Sequence, residues 1–261
     1  MKFPASFRLV FLCLLISFNT FAKGKTNPEY YQLETYYYST LQQESLIDDY
    51  LKTAYLPALH GYGIKNIGVF KPIANDTAAN KVVYVLIPFA NLKQVSEITE
   101  KLQNDPGFNA KASTFLGAPF DAPAFKRREI TIIKAFSMAT KLVLPSLTAP
   151  LAERVYELRS YESATDKLFT NKVQMFNEGG EVALFKKLGF NAIFYGEVVA
   201  GSRMPNLMYM TSFNSLADRN AHWEVFKNDP EWKLLSGNPA YQHNVSKIDI
   251  TLTRPAAYSD Y

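Results

Sequence analysis

The chain contains a single cysteine in 261 residues, Cys13, and that thiol sits inside an apolar run close to the N-terminus. What remains offers no disulfide framework, no iron–sulfur cluster and no thiol nucleophile. Histidine is nearly as scarce, and His60, His222 and His243 are too dispersed to make a metal site by spacing, so no metal is predicted. Phosphate-binding glycine loops are missing. Gly61, Gly63 and the Gly179-Gly180 pair lack the lysine-hydroxyl or strand–turn–helix setting that such loops need. The strained elbow of a serine hydrolase is absent too.

Charge of one sign is also lacking. Of the 28 basic residues, Lys2 and Arg8 precede the apolar run, and without them 26 face 24 acidic ones. That balance is no nucleic-acid footprint, and the densest basic run, Lys126 to Arg128, leads into Glu129 and a strand pattern, which reads as a solvated strand entry. The only long apolar run, residues 9–18, is too short for the roughly 20 residues of a membrane span. With Lys2 and Arg8 before it and Asn19, Thr20, Phe21 and Ala22 after it, it reads as a secretory signal over 1–22, cleaved after Ala22. The expected location is secreted or periplasmic, with no transmembrane segment after cleavage. A lipidated Cys13 fits poorly, because Leu12 precedes it where a small residue is wanted.

The composition, 48% hydrophobic and 20% charged, is that of globular material, and within it one pattern occurs twice. A short strand around Tyr209 runs into a helix carrying Leu216, Arg219, Trp223 and Phe226, followed by Asn228, Asp229 and Pro230. About 125 residues earlier, Tyr84 is followed by Leu92, Val95, Ile98 and Leu102, then Asn104, Asp105 and Pro106. Alternation predicts strands at 30–36, 64–70, 82–87 and 130–136. The i, i+4 spacing of Leu46, Tyr50 and Ala54 predicts a helix that ends near Pro57 and Gly61, and a second helix follows over 91–103.

The second copy repeats this order. Strands are expected at 155–161, 192–199, 207–212 and 245–253, a helix capped by Thr165, a break at Gly179-Gly180, and the helix that stops at Pro230. Each copy is therefore a ferredoxin-like βαββαβ unit, an α+β arrangement with both helices on one sheet face. Residues 29–136 form the first unit, 137–152 a linker and 153–254 the second. Two such units can cover each other's bare sheet faces and close a barrel with helices outside, an intramolecular pseudo-dimer, with further oligomerisation left open.

At this point the run from Val155 to Tyr161, the Leu188-Gly189 pair before a strand, and the series Tyr209, Ser215, Leu216, Arg219, Trp223 and Asp229 to Trp232 resemble the NIPSNAP family of the dimeric α/β-barrel superfamily. The resemblance covers 153–254. Residues 29–136 are a divergent copy, with Val95 in place of Arg219 and Phe108 in place of Trp232. It implies a dimeric α/β-barrel-type fold and no agreed reaction, although relatives in the superfamily include cofactor-independent monooxygenases and haem proteins.

Two constellations are candidate small-molecule sites. On the second-copy helix face, Arg219 and His222 replace the apolar Val95 and Ile98. They are three apart on one face. In one reading His222 is a haem or metal ligand or a general base, with Arg219 holding an anion; in the other Arg219 reaches backbone carbonyls and His222 fills the core edge. The second constellation is Glu157, Arg159 and Tyr161, with Tyr209 nearby. If Tyr156 and Leu158 take the helix side, these polar residues line the barrel lumen opposite Gln32, Glu34 and Tyr36, where they either bind a small polar ligand or seal the space with ion pairs. The expected function is an exported, NIPSNAP-like barrel that binds a small ligand or partner, its pocket in the second copy. The alternative is a cofactor-independent monooxygenase or a haem enzyme of the same fold.

Overall fold

The computed structural model describes residues 27–261; the leader over 1–22, its cleavage site and Cys13 lie outside the described residues. The chain runs β1 (Tyr30–Tyr38), α1 (Leu41–Tyr50), a π turn (Leu51–Tyr55), α2 (Leu56–Gly61), β2 (Gly68–Pro72), β3 (Lys81–Phe89), α3 (Leu92–Gln103), α4 (Pro106–Leu116) and β4 (Arg127–Ala135). Then come β5 (Val155–Glu162), α5 (Asp166–Asn177), α6 (Glu181–Lys187), β6 (Asn191–Ala200), β7 (Asn206–Phe213), α7 (Leu216–Asn228), α8 (Pro230–Ser236), a 3-10 turn (Pro239–Tyr241) and β8 (Lys247–Pro255).

All eight strands join one closed antiparallel barrel in the order β1-β3-β2-β8-β5-β7-β6-β4. Each half contributes four neighbouring strands in the same internal order, β4-β1-β3-β2 and β8-β5-β7-β6. The two seams are short. At one, Phe70, Lys71 and Pro72 pair with Pro255, Arg254 and Thr253; at the other, β4 meets β6 with a bulge at Ile132 and Ile133. Closure leaves no open sheet edge, which removes the usual route to edge-to-edge association.

Side-chain alternation along the strands separates three cores. Tyr31 and Leu33 of β1 and Tyr156 and Leu158 of β5 point into the barrel, where they pack with Phe70, Phe194, Met208, Met210 and Tyr261. The other parity faces the helices. In the first half Tyr36 lies under Tyr50, Tyr55 and Phe108, and in the second Tyr161 and Tyr209 lie under Phe176, Phe185 and Trp223. This reverses the expected orientation of Glu157, Arg159 and Tyr161: they face the helices, not the lumen. Partners explain the reversal, because a buried carboxylate needs donors. The helices bring Arg219 and Trp223, whereas the lumen is walled by Tyr, Leu, Phe and Met.

Two helices go beyond the sequence reading. Asp105 and Asp229 do end the preceding helices, and each also caps a new one, accepting from the backbone N–H groups of Gly107 and Phe108 and of Glu231. Proline at the first position of α4 and α8 loses nothing there, since that N–H has no helical partner. Of the two expected stops, Pro57 is passed and Gly61 ends the helix. The chain stays helical from Leu41 to Gly61, and the wide turn Leu51–Tyr55 just ahead of the proline absorbs its missing N–H. The second strand begins at Gly68 instead of residue 64, after Asn66 takes a left-handed φ of 59°, while Ile64 and Ile67 turn into the core. Among the described residues no helix is long and apolar enough to cross a membrane.

Phe194, 1% exposed inside the barrel and 5.2 Å from the Tyr31 ring, tests the lumen as a load-sharing core. Phe194→Ala should cost about 3–5 kcal/mol in urea unfolding, whereas Leu234→Ala on exposed α8 should stay within about 0.5 kcal/mol.

Candidate functional site

In each half the space between helices and sheet holds a strip of polar side chains from the first strand of that half. The strip is Gln32, Glu34 and Tyr36 on β1, and Glu157, Arg159 and Tyr161 on β5. The strips correspond through the sheet register as well: Glu34 sits opposite Ile130 as Arg159 sits opposite Ile250. What the helices place above them differs.

In the second half the strip is sealed. Glu157 is fully buried and accepts four hydrogen bonds. Its Oε1 takes Arg159 Nε at 2.7 Å and Arg219 Nη2 at 2.8 Å; its Oε2 takes Arg219 Nε at 2.8 Å and the Trp223 indole at 2.7 Å. The two bonds from Arg219 form the parallel fork that suits a carboxylate. Arg159 also donates to Tyr161 at 2.9 Å, lies 3.7 Å from the Trp223 ring centre, and Tyr161 shares a 2.9 Å hydrogen bond with Tyr209. Burial pushes the Glu157 carboxyl up, but the Arg219 bonds and the charges of Arg159 and Arg219 outweigh it and hold the group below the usual carboxylate range. Burial raises the Tyr209 phenol well above its ordinary value, so it stays neutral. A second buried pair, Lys172 and Glu181 at 2.9 Å, lies alongside; there burial outweighs the lysine's pull and the Glu181 carboxyl is raised.

The structure thus brings together five of the six residues singled out in sequence: Glu157, Arg159, Tyr161, Tyr209 and Arg219. Arg219 bonds a carboxylate instead of backbone carbonyls. His222 stands apart at the rim, where its Nδ1 meets the Asp218 carbonyl at 2.9 Å and carboxylate at 3.1 Å, and its ring packs against Phe190 and Phe213. These residues do not fit a haem. The gap beside His222 is occupied by Phe190, Trp223 and Phe226, whose rings lie 5.0 to 5.9 Å apart.

In the first half the corresponding space is open. A cavity of about 230 Å³ lies between the sheet and α3–α4, lined by Glu34, Tyr50, Tyr55, Thr99, Phe108 and Arg128 among others. Glu34, 1% exposed, forms its polar floor. It accepts from Gln32 Nε2 at 2.7 Å, from Tyr55 at 2.6 Å and from Tyr36 at 2.7 Å. Burial, and then the Glu34 charge, push the Tyr36 and Tyr55 phenols far above their ordinary range, so both remain donors. Tyr50 stacks on Tyr55 at 5.3 Å and 14° and on Phe115 at 4.0 Å, so the aromatic side of the cavity is a stack held rigidly in place.

A size difference separates the two halves at this place. At the 124-residue spacing Thr99 stands where the second half has Trp223, the indole that fills that half's gap; Val95 likewise replaces Arg219. The sequence comparison contained this signal, yet a lost ring draws less notice than a gained charge. The lumen, one of the two places offered for a ligand, is packed; a remnant of about 90 Å³ remains at the end lined by Tyr37, Ser160, Arg203 and Asp249.

Residues 156–260 match the NIPSNAP family. Over the whole barrel the chain is similar to a protein from Fusobacterium nucleatum proposed to be a monooxygenase (TM-score 0.58, 6% identity, 88% of this chain and 93% of that one). Another proposed monooxygenase, from Lactobacillus acidophilus, gives the same TM-score of 0.58 at 10% identity, over 88% and 94% of the two chains. An anthrone oxidase-like protein gives 0.52 at 9% identity, over 88% and 92%. At these identities the likeness establishes the fold: an α+β, eight-stranded barrel of the dimeric α/β type. No curated protein matches the chain.

Glu157→Gln leaves two guanidinium groups without their anion and should cost about 3–5 kcal/mol at neutral pH. A carboxyl with a depressed folded pKa stabilises above its unfolded value of about 4.3 and loses that contribution as pH falls through the folded value. Urea unfolding across pH should therefore show wild type and variant converging only below about pH 4.3.

Proposed function

We propose that this protein, whose residues 156–260 match the NIPSNAP family, is a small-ligand-binding barrel whose binding pocket lies in the first half, with the two halves arranged as tandem ferredoxin-like units in a pseudo-dimer. The observation that carries the reading is the exchange of Trp223 for Thr99 over otherwise corresponding polar strips. Where the indole is present, the strip is closed by Arg219, Trp223 and Arg159. Where threonine stands, a concave space remains with a fixed polar floor and aromatic walls, the usual make-up of a small-molecule site.

The identical strand order of the halves and the spacing of Tyr84 from Tyr209 support the duplication. In such an arrangement the second half serves as the rigid partner that closes the barrel, and the first half is released to carry the pocket. A volume of about 230 Å³ lies just under the roughly 300–1,000 Å³ of drug-sized sites, so the occupant is a compact molecule of about one ring with a polar end. The charged and apolar leader supports placing this binding outside the cytoplasm.

Thr99→Trp tests the reading by rebuilding the second half's plug in the first. Because Thr99 is exposed, the variant should fold with a melting temperature close to wild type. Titration with benzyl alcohol, a neutral probe of matching size, followed by NMR shifts of the Tyr50, Tyr55 and Phe108 rings, should show saturable binding to wild type and none to the variant. Equal binding by both, or no response in wild type, would remove the pocket from consideration.

A further inference from the structure

The pocket's polar end is not neutral. Arg128, on β4, lines the cavity with its side chain 42% exposed, and its nearest carboxylate oxygen is Glu34 Oε2 at 3.9 Å. That contact is an ion pair by distance and too long for a hydrogen bond. The Glu34 oxygens already accept at 2.6 to 2.7 Å from Gln32, Tyr36 and Tyr55. The carboxylate is satisfied without arginine, and Arg128, whose guanidinium lies beside Tyr36, keeps N–H donors beyond that contact for a ligand, since a guanidinium carries five.

Arg128 contrasts with the two arginines of the sealed half. Arg159 and Arg219 are spent on Glu157 at 2.7 to 2.8 Å. The sheet register puts Ile248 where the first half has Arg128: Tyr36 is opposite Arg128 and Tyr161 opposite Ile248. The second half, whose polar strip is sealed by Arg219 and Trp223, carries no cation at this strand position. The half with the gap does. Arg127 next to it points elsewhere, stacking on Tyr37 at 4.3 Å and pairing with Glu129 at 3.0 Å, so Arg128 alone of the basic run addresses the cavity.

We infer that the pocket takes a small organic carboxylate: the acid group on the Arg128 fork at the mouth, and an aromatic or short aliphatic body against Tyr50, Tyr55 and Phe108. This rests on the first-half pocket being the binding site, and it names the ligand's chemistry. Guanidinium pairs with a planar carboxylate through two parallel N–H bonds, and the aromatic wall offers the other end an apolar surface. Glu34 opposes a second negative charge deeper in, which favours monoacids with the charge at one end.

Benzoate and benzyl alcohol, alike in shape and different in charge, are the probes. Calorimetric titration of wild type, Arg128→Gln and Thr99→Trp separates the possibilities. Benzoate should bind wild type at least tenfold more tightly than Arg128→Gln, with benzyl alcohol indifferent to that change and Thr99→Trp binding neither. If benzoate and benzyl alcohol bind wild type alike and Arg128→Gln alters neither, while Thr99→Trp abolishes both, the pocket stands and the carboxylate assignment is overturned. If wild type binds neither, both fail together. Melting curves check that Arg128→Gln folds, as expected for a side chain whose closest ionic contact is 3.9 Å away.

Discussion

A carboxylate or guanidinium placed beneath a layer of helices must be satisfied there, because burying a charge without partners costs several kcal/mol. This protein meets the requirement twice, in different ways. In the second half opposite charges are paired directly, Glu157 held by two arginines and an indole, and aromatic rings close over them. In the first half a lone Glu34 is held by neutral donors, two phenols and an amide, which stabilise the anion without cancelling its charge. The first solution closes over the strip; the second leaves space, with Arg128 at its edge 3.9 Å from Glu34.

The barrel makes this asymmetry tolerable. Its interior, from Tyr31 and Leu33 to Met208 and Tyr261, is packed with apolar and aromatic side chains, charge appearing at the end lined by Arg203 and Asp249, and both four-stranded sets share it. Each set therefore has its inner face covered whatever the outer layer does. A pocket under α3 and α4 subtracts contacts from one outer core only, and the dense aromatic cluster around Phe176, Phe185 and Phe226 holds the other.

Most of the architecture was legible in the sequence. Period-two alternation located every strand to within a few residues, and the repeat of Tyr84 and Asn104 as Tyr209 and Asn228 gave the strand order of both halves. Facing was not legible: Tyr156, Leu158 and Ser160 alternate with Glu157, Arg159 and Tyr161, and both sets end up buried, so hydrophobicity alone does not say which one looks inward. What decides is the supply of donors, and Arg219 and Trp223 are 60 or more residues away in the chain. The helices after Asp105 and Asp229 were missed because Asn-Asp-Pro was taken only as a stop, although aspartate before proline is equally a start. The pocket was missed because it follows from a side chain that is small, and from a wide turn at Leu51–Tyr55 that the i, i+4 pattern does not announce.

That turn shapes the cavity. In a regular α-helix, residues five apart diverge by about 140° around the axis at 3.6 residues per turn, and Tyr50 and Tyr55 would look in different directions. The π turn between them widens the coil and brings them nearly into line, so their rings lie parallel and the Tyr55 hydroxyl reaches Glu34. The recognition surface is thus set by helical phase as much as by residue type. One residue more between Tyr50 and Tyr55 would swing one tyrosine off the wall while leaving every side chain of the pocket in the sequence, whereas one fewer would let a regular α-helix keep both on one face at i, i+4.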